Sequence, residues 1–514
     1  MKRTCRPLLP LLVGAALAML ASAALGHEHG PPKDTIGGDV GVVHFANSGN
    51  GAAQPPFQRG LALLHSFEYR AARKAFQAAQ NVDPAFAMAV WGEALTFNHS
   101  LWNEQDTAAA RAALAKLGAT PDERAARGKT PRERDYLASI EKLYGAGDKP
   151  ARNAAYSEAL RALSRRYPDD LDARALYSLS LLALSPIRNH ATYMQAAAEA
   201  ESVYDVDKHH PGALHYMIHA YDDPVHAPLG LRAARLYAKV APAASHAQHM
   251  TTHIFFALGL WDDAIAANET SLRISRAEGD PNYHSLLWLE YAHLQAGHVA
   301  PAADLVRSVA KDVATGPTKE NRLRLAYARA AWLVETHGAA GSEAAEPVDS
   351  TGVTSIGYFA VHDFARGVTA AQAGDLAAAR AVLAALTARC DSAHIQPPGE
   401  NPAWYDAMTV NELVESRTLV AALDGTVRFY AGDHAGGLAA VRAAIAAAAK
   451  FEFEYGPPWS AKPLDELLGE LLLADHRAGE AAEAFRSTLA TFPNRRLANE
   501  GLATALAASP GGAP

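Results

Sequence analysis

The first strongly apolar stretch runs from Leu8 to Leu25, behind a basic start at Lys2, Arg3 and Arg6. Small residues close it and offer two cleavage points, after Ala21-Ser22-Ala23 or after Ala24-Leu25-Gly26. This pattern predicts a secretory signal peptide over 1–26. Pro7, Pro10 and the small-residue end argue against a retained anchor. No later run approaches the ~20 unbroken apolar residues of a membrane span, so none is expected after cleavage. Beyond the leader, alanine dominates the apolar positions, and Val, Ile and Thr are sparse outside short patches. That bias favours helix over sheet.

Small and bulky residues then recur at fixed spacing. Gly60, Ala72, Phe76, Ala79 and Pro84 stand at relative positions 0, 12, 16, 19 and 24, and Gly469, Ala481, Phe485, Thr488 and Pro493 repeat those intervals. Gly367 with Ala379, Gly425 with Gly437, Gly259 with Ala264 and Gly297 with Ala302 give partial copies. The pattern resembles the tetratricopeptide repeat, a 34-residue helix–turn–helix unit with small residues at positions 8, 20 and 27, an aromatic at 24 and proline at 32. Small residues at 8 and 20 let two helices approach closely, and the bulky residue at 24 fills the space against the next unit. One unit cannot bury its apolar face alone, so stacking supplies the core.

The expected fold is therefore all-α, a solenoid of helical hairpins in two halves. A flexible arm covers 27–56, one array 57–336, a second array 353–508, and a tail 509–514. A Gly- and Ser-containing linker near 337–352 joins the halves, while Gln396–Pro402 and Tyr455–Pro458 read as long connecting loops.

Charge and cysteine content narrow the chemistry. Formal net charge is −8, and −11 without the three leader cations. An acidic chain with no basic run is a poor partner for nucleic acid. Cys390 is the only cysteine beyond the leader, which excludes an internal disulfide framework and a cysteine zinc ribbon. An exported, periplasmic or secreted protein is expected. No P-loop, nucleophile elbow or dinucleotide glycine motif is present.

Histidine is the departure from a plain scaffold. Twelve of the 22 lie between His190 and His298. His215 with His219, and His249 with His253, form two i,i+4 pairs on a helix face, close enough to share a metal ion. Both members are offset by 34 residues, the repeat length, so the pairs should occupy equivalent positions on neighbouring first helices. With Gly259 at position 15, His246, His249 and His253 fall at positions 2, 5 and 9; with Gly297 at position 15, His284 falls at position 2. The repeat resemblance implies that these positions line a concave groove. A site of His215, His219, His249 and His253, with His246 and His284 near it, suits Zn, Cu or Fe. Tyr216, Asp222, Asp223 and Glu290 are candidate acceptors fixing imidazole tautomers. Neither pair reads H-E-x-x-H, so the usual metalloprotease base is missing, and no catalytic residue is assigned.

His65, Glu68, Trp91, Glu93, His99 and Trp102 form a second polar and aromatic set, read either as buried packing or as the far wall of the same pocket. Trp288 and Trp404 are packing residues that could also line a groove, with Tyr405 and Asp406 near its rim. His27-Glu28-His29 would make a square-planar Cu²⁺ site if cleavage fell after Gly26. His209–His226, His246–Phe255, Leu64–Tyr69, Trp91–Glu93 and Asn98–Trp102 also resemble a family of exported, histidine-rich bacterial repeat proteins. That resemblance implies no activity. It implies Asp at 287, where this chain has Leu287, with Glu290 as a substitute. Three functions stay open: metal binding, with or without chemistry on a small molecule; a scaffold holding a peptide or protein in the groove; and a metal-free enzyme using a groove histidine.

Overall fold

Polar side chains close the first turn of many helices. Asp106, Thr120, Thr130, Asp148, Asp170, Asn189, His210, Asn282, Thr318, Asp375, Thr409 and Asp433 each accept a backbone N–H three residues on. These caps satisfy donors that a helix start leaves unpaired. The computed structural model describes residues 36–102, 104–184, 188–338, 343–396, 404–451 and 456–508. The expected leader, the His27–His29 motif, most of the Gln396–Pro402 loop and the tail lie outside the described residues.

The described chain is helical almost throughout; one antiparallel pair of two-residue strands, Asn98–His99 and Glu104–Gln105, interrupts it. Successive helices pack as hairpins, beginning with Gln54–His65 against Tyr69–Val82. Three consecutive hairpins, with their connecting turns, carry nine of the 22 histidines: Pro211–Tyr221 with Ala227–Val240, Ser245–Ala257 with Trp261–Ala277, and Tyr283–Gln295 with Val299–Thr315. No described helix is long and apolar enough to cross a membrane.

The repeat contacts have a steric origin visible at both ends. A Cβ at Gly60 would stand 2.9 Å from the Phe76 ring, and one at Gly92 2.4 Å from it. Gly469 and Gly501 meet Phe485 in the same way, at 2.8 and 2.3 Å. One phenyl ring is thus clamped between the position-8 glycine of its own unit and a glycine on the first helix of the next. Gly425 and Gly437 bring two backbones together directly.

Residues 36–50 differ from the loose arm expected of a Gly-, Pro- and His-rich segment. They run extended over the hairpins with Ile36, Val40, Val43 and Phe45 buried. Ala243 donates its N–H to Asp39 at 2.9 Å, and Phe45 stacks on Trp91 at 5.7 Å. Four apolar anchors outweigh the local glycine content. The described part of the 337–352 linker is also docked: Ala344 is buried and its carbonyl lies 2.7 Å from His362 Nε2. Helix Lys319–Glu335 packs directly on Gly357–Gln372, so the array continues through the linker.

The C-terminal hairpin, Leu464–Ala474 and Ala478–Thr491, returns to the middle of the chain with the helix that follows it, Arg496–Ala508. Trp261 donates to the Asn494 carbonyl at 2.9 Å, and Asn494 to that of Gly259 at 3.0 Å. Arg495 is fully buried beneath them. It grips Glu466 through two hydrogen bonds of 2.6 and 2.8 Å, lies 2.7 Å from Glu335 Oε1, and donates to the Tyr291 hydroxyl at 2.5 Å. This network ties the last hairpin to the helix that carries His284 and Trp288.

Candidate metal-binding histidine face

Helices Pro211–Tyr221, Ser245–Ala257 and Tyr283–Gln295 are the first helices of their hairpins. The histidines on them fall into two trios. His215, His219 and His246 form one; His249, His253 and His284 form the other. Within each trio one ring nitrogen per residue lies within 4.8 Å of the other two. The expected site joined the two i,i+4 pairs around one ion; the structure instead gives each pair its own third member from the following helix. The reason is register. Positions 5 and 9 of one first helix face position 2 of the next, so His246 serves the 215/219 pair and His284 the 249/253 pair.

The first trio is held from the turn after the first helix. His215 Nδ1 lies 2.6 Å from the His65 carbonyl, which can only accept, so Nδ1 carries the proton and a neutral ring has a bare Nε2. That Nε2 lies 3.1 Å from His219 Nε2. Glu68 accepts the backbone N–H of His246 at 3.1 Å, at the N-terminus of helix Ser245–Ala257 where a carboxylate is favoured. Burial, with Glu278 and Asp280 adding to it, pushes the Glu68 carboxyl up to about 7 against the opposing pull of that hydrogen bond. Phe67 adopts a left-handed conformation, φ 57°. Its ring stands 4.3, 5.8 and 5.5 Å from those of His215, His219 and His246. Trp102 stands 5.7 Å from His246, and is 48% exposed.

The second trio has different support. His253 Nδ1 lies 2.5 Å from Asp222 Oδ2, and His249 Nδ1 2.9 Å from Asn268 Oδ1. Trp288 packs at 4.4 Å from His253 and 5.0 Å from His249. Gly456, φ 88°, lies against Trp288 so closely that a Cβ would come within 2.2 Å of the ring. His284 is the exposed member.

Burial holds His215, His219, His246, His249 and His284 toward the neutral imidazole. Burial pushes His215 and His249 down to about 3, with His253 lowering both further. His219 and His246 are held well below the ordinary imidazole value, first by burial and then by neighbouring histidines. His246 Nε2 and His249 Nε2 are buried with no hydrogen-bond partner among the described residues. A buried unpaired acceptor is costly unless something fills it. Neutral rings with bare, converging nitrogens fit a borderline transition-metal ion.

The other sequence-selected residues lie elsewhere or act differently. His65 is buried and donates through Nε2 to Asp172 at 2.9 Å, while its Nδ1 accepts from the Tyr216 hydroxyl at 2.9 Å. Tyr216 is therefore committed to His65 rather than to a trio histidine. His210 Nε2 stands 3.4 Å from the same Asp172 oxygen, and its Nδ1 caps its own helix. Burial opposes ionisation of Asp172, but hydrogen bonds from His210 and His65 hold its carboxyl far below the usual range. With both His65 nitrogens in use, this His65–Asp172–His210 group is a structural tie. Gly212 makes it possible: a Cβ there would sit 2.4 Å from His65 Nδ1. Asp223 is bound by His226 and Arg188. Glu290 is buried, outside both trios, with neither carboxylate oxygen hydrogen-bonded among the described residues. Burial holds its carboxyl well above the usual range. His99 stacks on Tyr69 at 4.0 Å and lies 3.1 Å from Glu104. The residues not anticipated are Phe67, Asn268, Asp172 and the His65 carbonyl. All act across gaps of at least 19 residues or through a turn conformation, and no local spacing announces them.

No protein-family model matches the chain, and no curated protein matches it. Among solved structures it is similar to a tetratricopeptide repeat protein from Parabacteroides merdae, at 12% identity and TM-score 0.24 over 73% of this chain and 98% of that one. It is similar to the P58(IPK) TPR domain, at 11% identity and TM-score 0.21 over 89% and 98%. It is also similar to yeast Tom70, at 8% identity and TM-score 0.33 over 89% and 88%. The described residues form an all-α solenoid of stacked helical hairpins.

Proposed function

We propose that this chain is an exported tetratricopeptide-type scaffold that binds a transition-metal ion, of the class Zn²⁺, Cu²⁺ or Fe²⁺, on the histidine face of its first helices. The observation that carries the reading is the pair of buried, unpartnered nitrogens, His246 Nε2 and His249 Nε2, each within a trio of converging imidazoles. Three imidazoles leave a coordination position open, where a bound cation would polarise a water or small molecule. The chain's own part is to keep His215, His219, His246, His249 and His284 neutral by burial, to fix tautomers through the His65 carbonyl, Asn268 and Asp222, and to wall the trios with Phe67 and Trp288. Export rests on the basic, apolar and small-residue order of residues 1–26.

Elemental analysis of the untagged protein, before and after chelation and reloading, tests the reading. Bound metal that falls in the His249→Ala His253→Ala variant, and disappears when His215→Ala and His219→Ala are added, supports it. A protein that is metal-free and takes up no added Zn²⁺, Cu²⁺ or Fe²⁺ overturns it. A second reading, a groove for a peptide or protein segment, is favoured by exposed Trp102 beside Phe67 and His246. It requires that Trp102→Ala abolish partner binding and that metal content be nil.

A further inference from the structure

Resting on the metal-binding reading, we propose that the two trios are separate metal sites of unequal rank, and that His249, His253 and His284 load before His215, His219 and His246.

Separateness comes from the repeat. Each trio uses positions 5 and 9 of one first helix and position 2 of the next. The series stops at both ends for visible reasons. Position 2 before the first trio is Gly212, whose missing side chain admits His65. Positions 5 and 9 after His284 are Leu287 and Tyr291, both buried in the core. Two copies of one ligand geometry therefore stand side by side. Rings from different trios approach no closer than 6.1 Å, between His219 and His253, among the contacts recorded. Rings within a trio approach to 4.6 Å, between His249 and His284.

Rank comes from what stands behind each ligand. In the later trio His253 hydrogen-bonds to a buried carboxylate, Asp222, at 2.5 Å. A carboxylate behind a metal-bound imidazole raises its basicity and adds a negative charge beside the cation. In the earlier trio no carboxylate is seen behind a ligand among the described residues; the acceptor there is a neutral peptide oxygen, the His65 carbonyl, on His215. An aromatic ring packs against all three members of each trio, Phe67 on the earlier and Trp288 on the later; His284 is the exposed edge of the later one, and His219 and His246 are half-buried in the earlier. Phe67 holds this position at φ 57°, a conformation that is strained for an aromatic side chain. Once the later trio holds a dication, the neighbouring site must accept a second one beside it, which widens the gap between the two affinities. The donors are all imidazole, with no thiolate and no carboxylate ligand, so Zn²⁺ or Co²⁺ is taken and Ca²⁺ or Mg²⁺ is not.

The test is titration of the full, untagged chain with Co²⁺ at neutral pH, read by visible absorption and by equilibrium dialysis with elemental analysis. Two Co²⁺ per chain binding in two resolved steps are expected. His284→Ala, an exposed position that leaves the core intact, should abolish the first step and keep the second. His219→Ala should abolish only the second. Asp222→Asn should weaken the first step ~10–100-fold and leave the second unchanged. One Co²⁺ per chain, lost equally in His284→Ala and His219→Ala, would overturn the two-site inference and leave metal binding intact. Two steps in which Asp222→Asn weakens only the second would overturn the order. A chain that binds no Co²⁺ at all fails the reading on which the inference rests.

Discussion

Replacing Arg495 by methionine tests how the last hairpin is fastened over the histidine helices. The guanidinium is fully buried, with two hydrogen bonds to Glu466, an ion pair to Glu335 and a hydrogen bond to Tyr291. Methionine fills much of the same volume and supplies none of these. Among the described residues Glu335 would keep Arg496, 3.3 Å away and partly exposed, as its one cationic partner, and Glu466 would keep Lys462, also at 3.3 Å. Breaking a buried ion pair from one side costs about 3–5 kcal/mol, because a charge is left without its partner. Urea denaturation followed by circular dichroism should show that loss. Intrinsic fluorescence should report an earlier transition, since Trp261 is held by the Asn494 carbonyl and Trp288 is covered by Gly456. Adding Glu335→Gln and Glu466→Gln to Arg495→Met removes the stranded charges and should recover more than half of the loss. If Arg495→Met costs under about 1 kcal/mol, or the triple variant is less stable than the single one, the network is not the fastening described here.

Other substitutions test other links. Phe76→Ala empties the space between Gly60 and Gly92 and should cost about 3–5 kcal/mol by urea denaturation. Gly212→Ala forces a methyl against His65, and should cost about 1–3 kcal/mol by the same measurement. His362, buried against the Ala344 carbonyl, has its pKa pushed down to about 3 by burial against an ordinary 6.5. The unfolded chain therefore takes up a proton that the folded chain refuses, and stability falls as pH drops from 6.5 toward 3. His362→Gln should remove that dependence: the wild type should lose about 2 kcal/mol more than the variant between pH 6.5 and 5. Equal losses in both proteins at pH 5 would contradict the assignment.

Phe76 and Phe485 show why the architecture is readable in one dimension. A ring clamped between two glycines needs those residues at fixed intervals, so steric necessity is written as spacing. The same holds for His215, His219, His249 and His253, whose 34-residue offset placed them on equivalent helices. Their grouping was not legible in the same way. Pairing by i,i+4 spacing suggested one shared ion, whereas packing between helices gives position 2 of the following unit the role of third ligand. The spacing from Gly259 to Gly297 is 38 residues, and the extra turn at 278–282 obscures the equivalence of His246 and His284. Phe67 depends on a left-handed turn, and Asn268 and Asp172 on contacts between helices. Residues 36–50 read as a loose arm by composition, but Val40, Val43 and Phe45 find buried positions that only the assembled hairpins create.

The most direct measurement is anomalous diffraction at the cobalt edge from crystals of the untagged protein equilibrated with Co²⁺. A peak enclosed by His249, His253 and His284, joined at higher cobalt by one enclosed by His215, His219 and His246, is the predicted result. Cobalt found only at the protein surface, with both trios empty of anomalous density, would contradict the central claim that these helices form a metal-binding face.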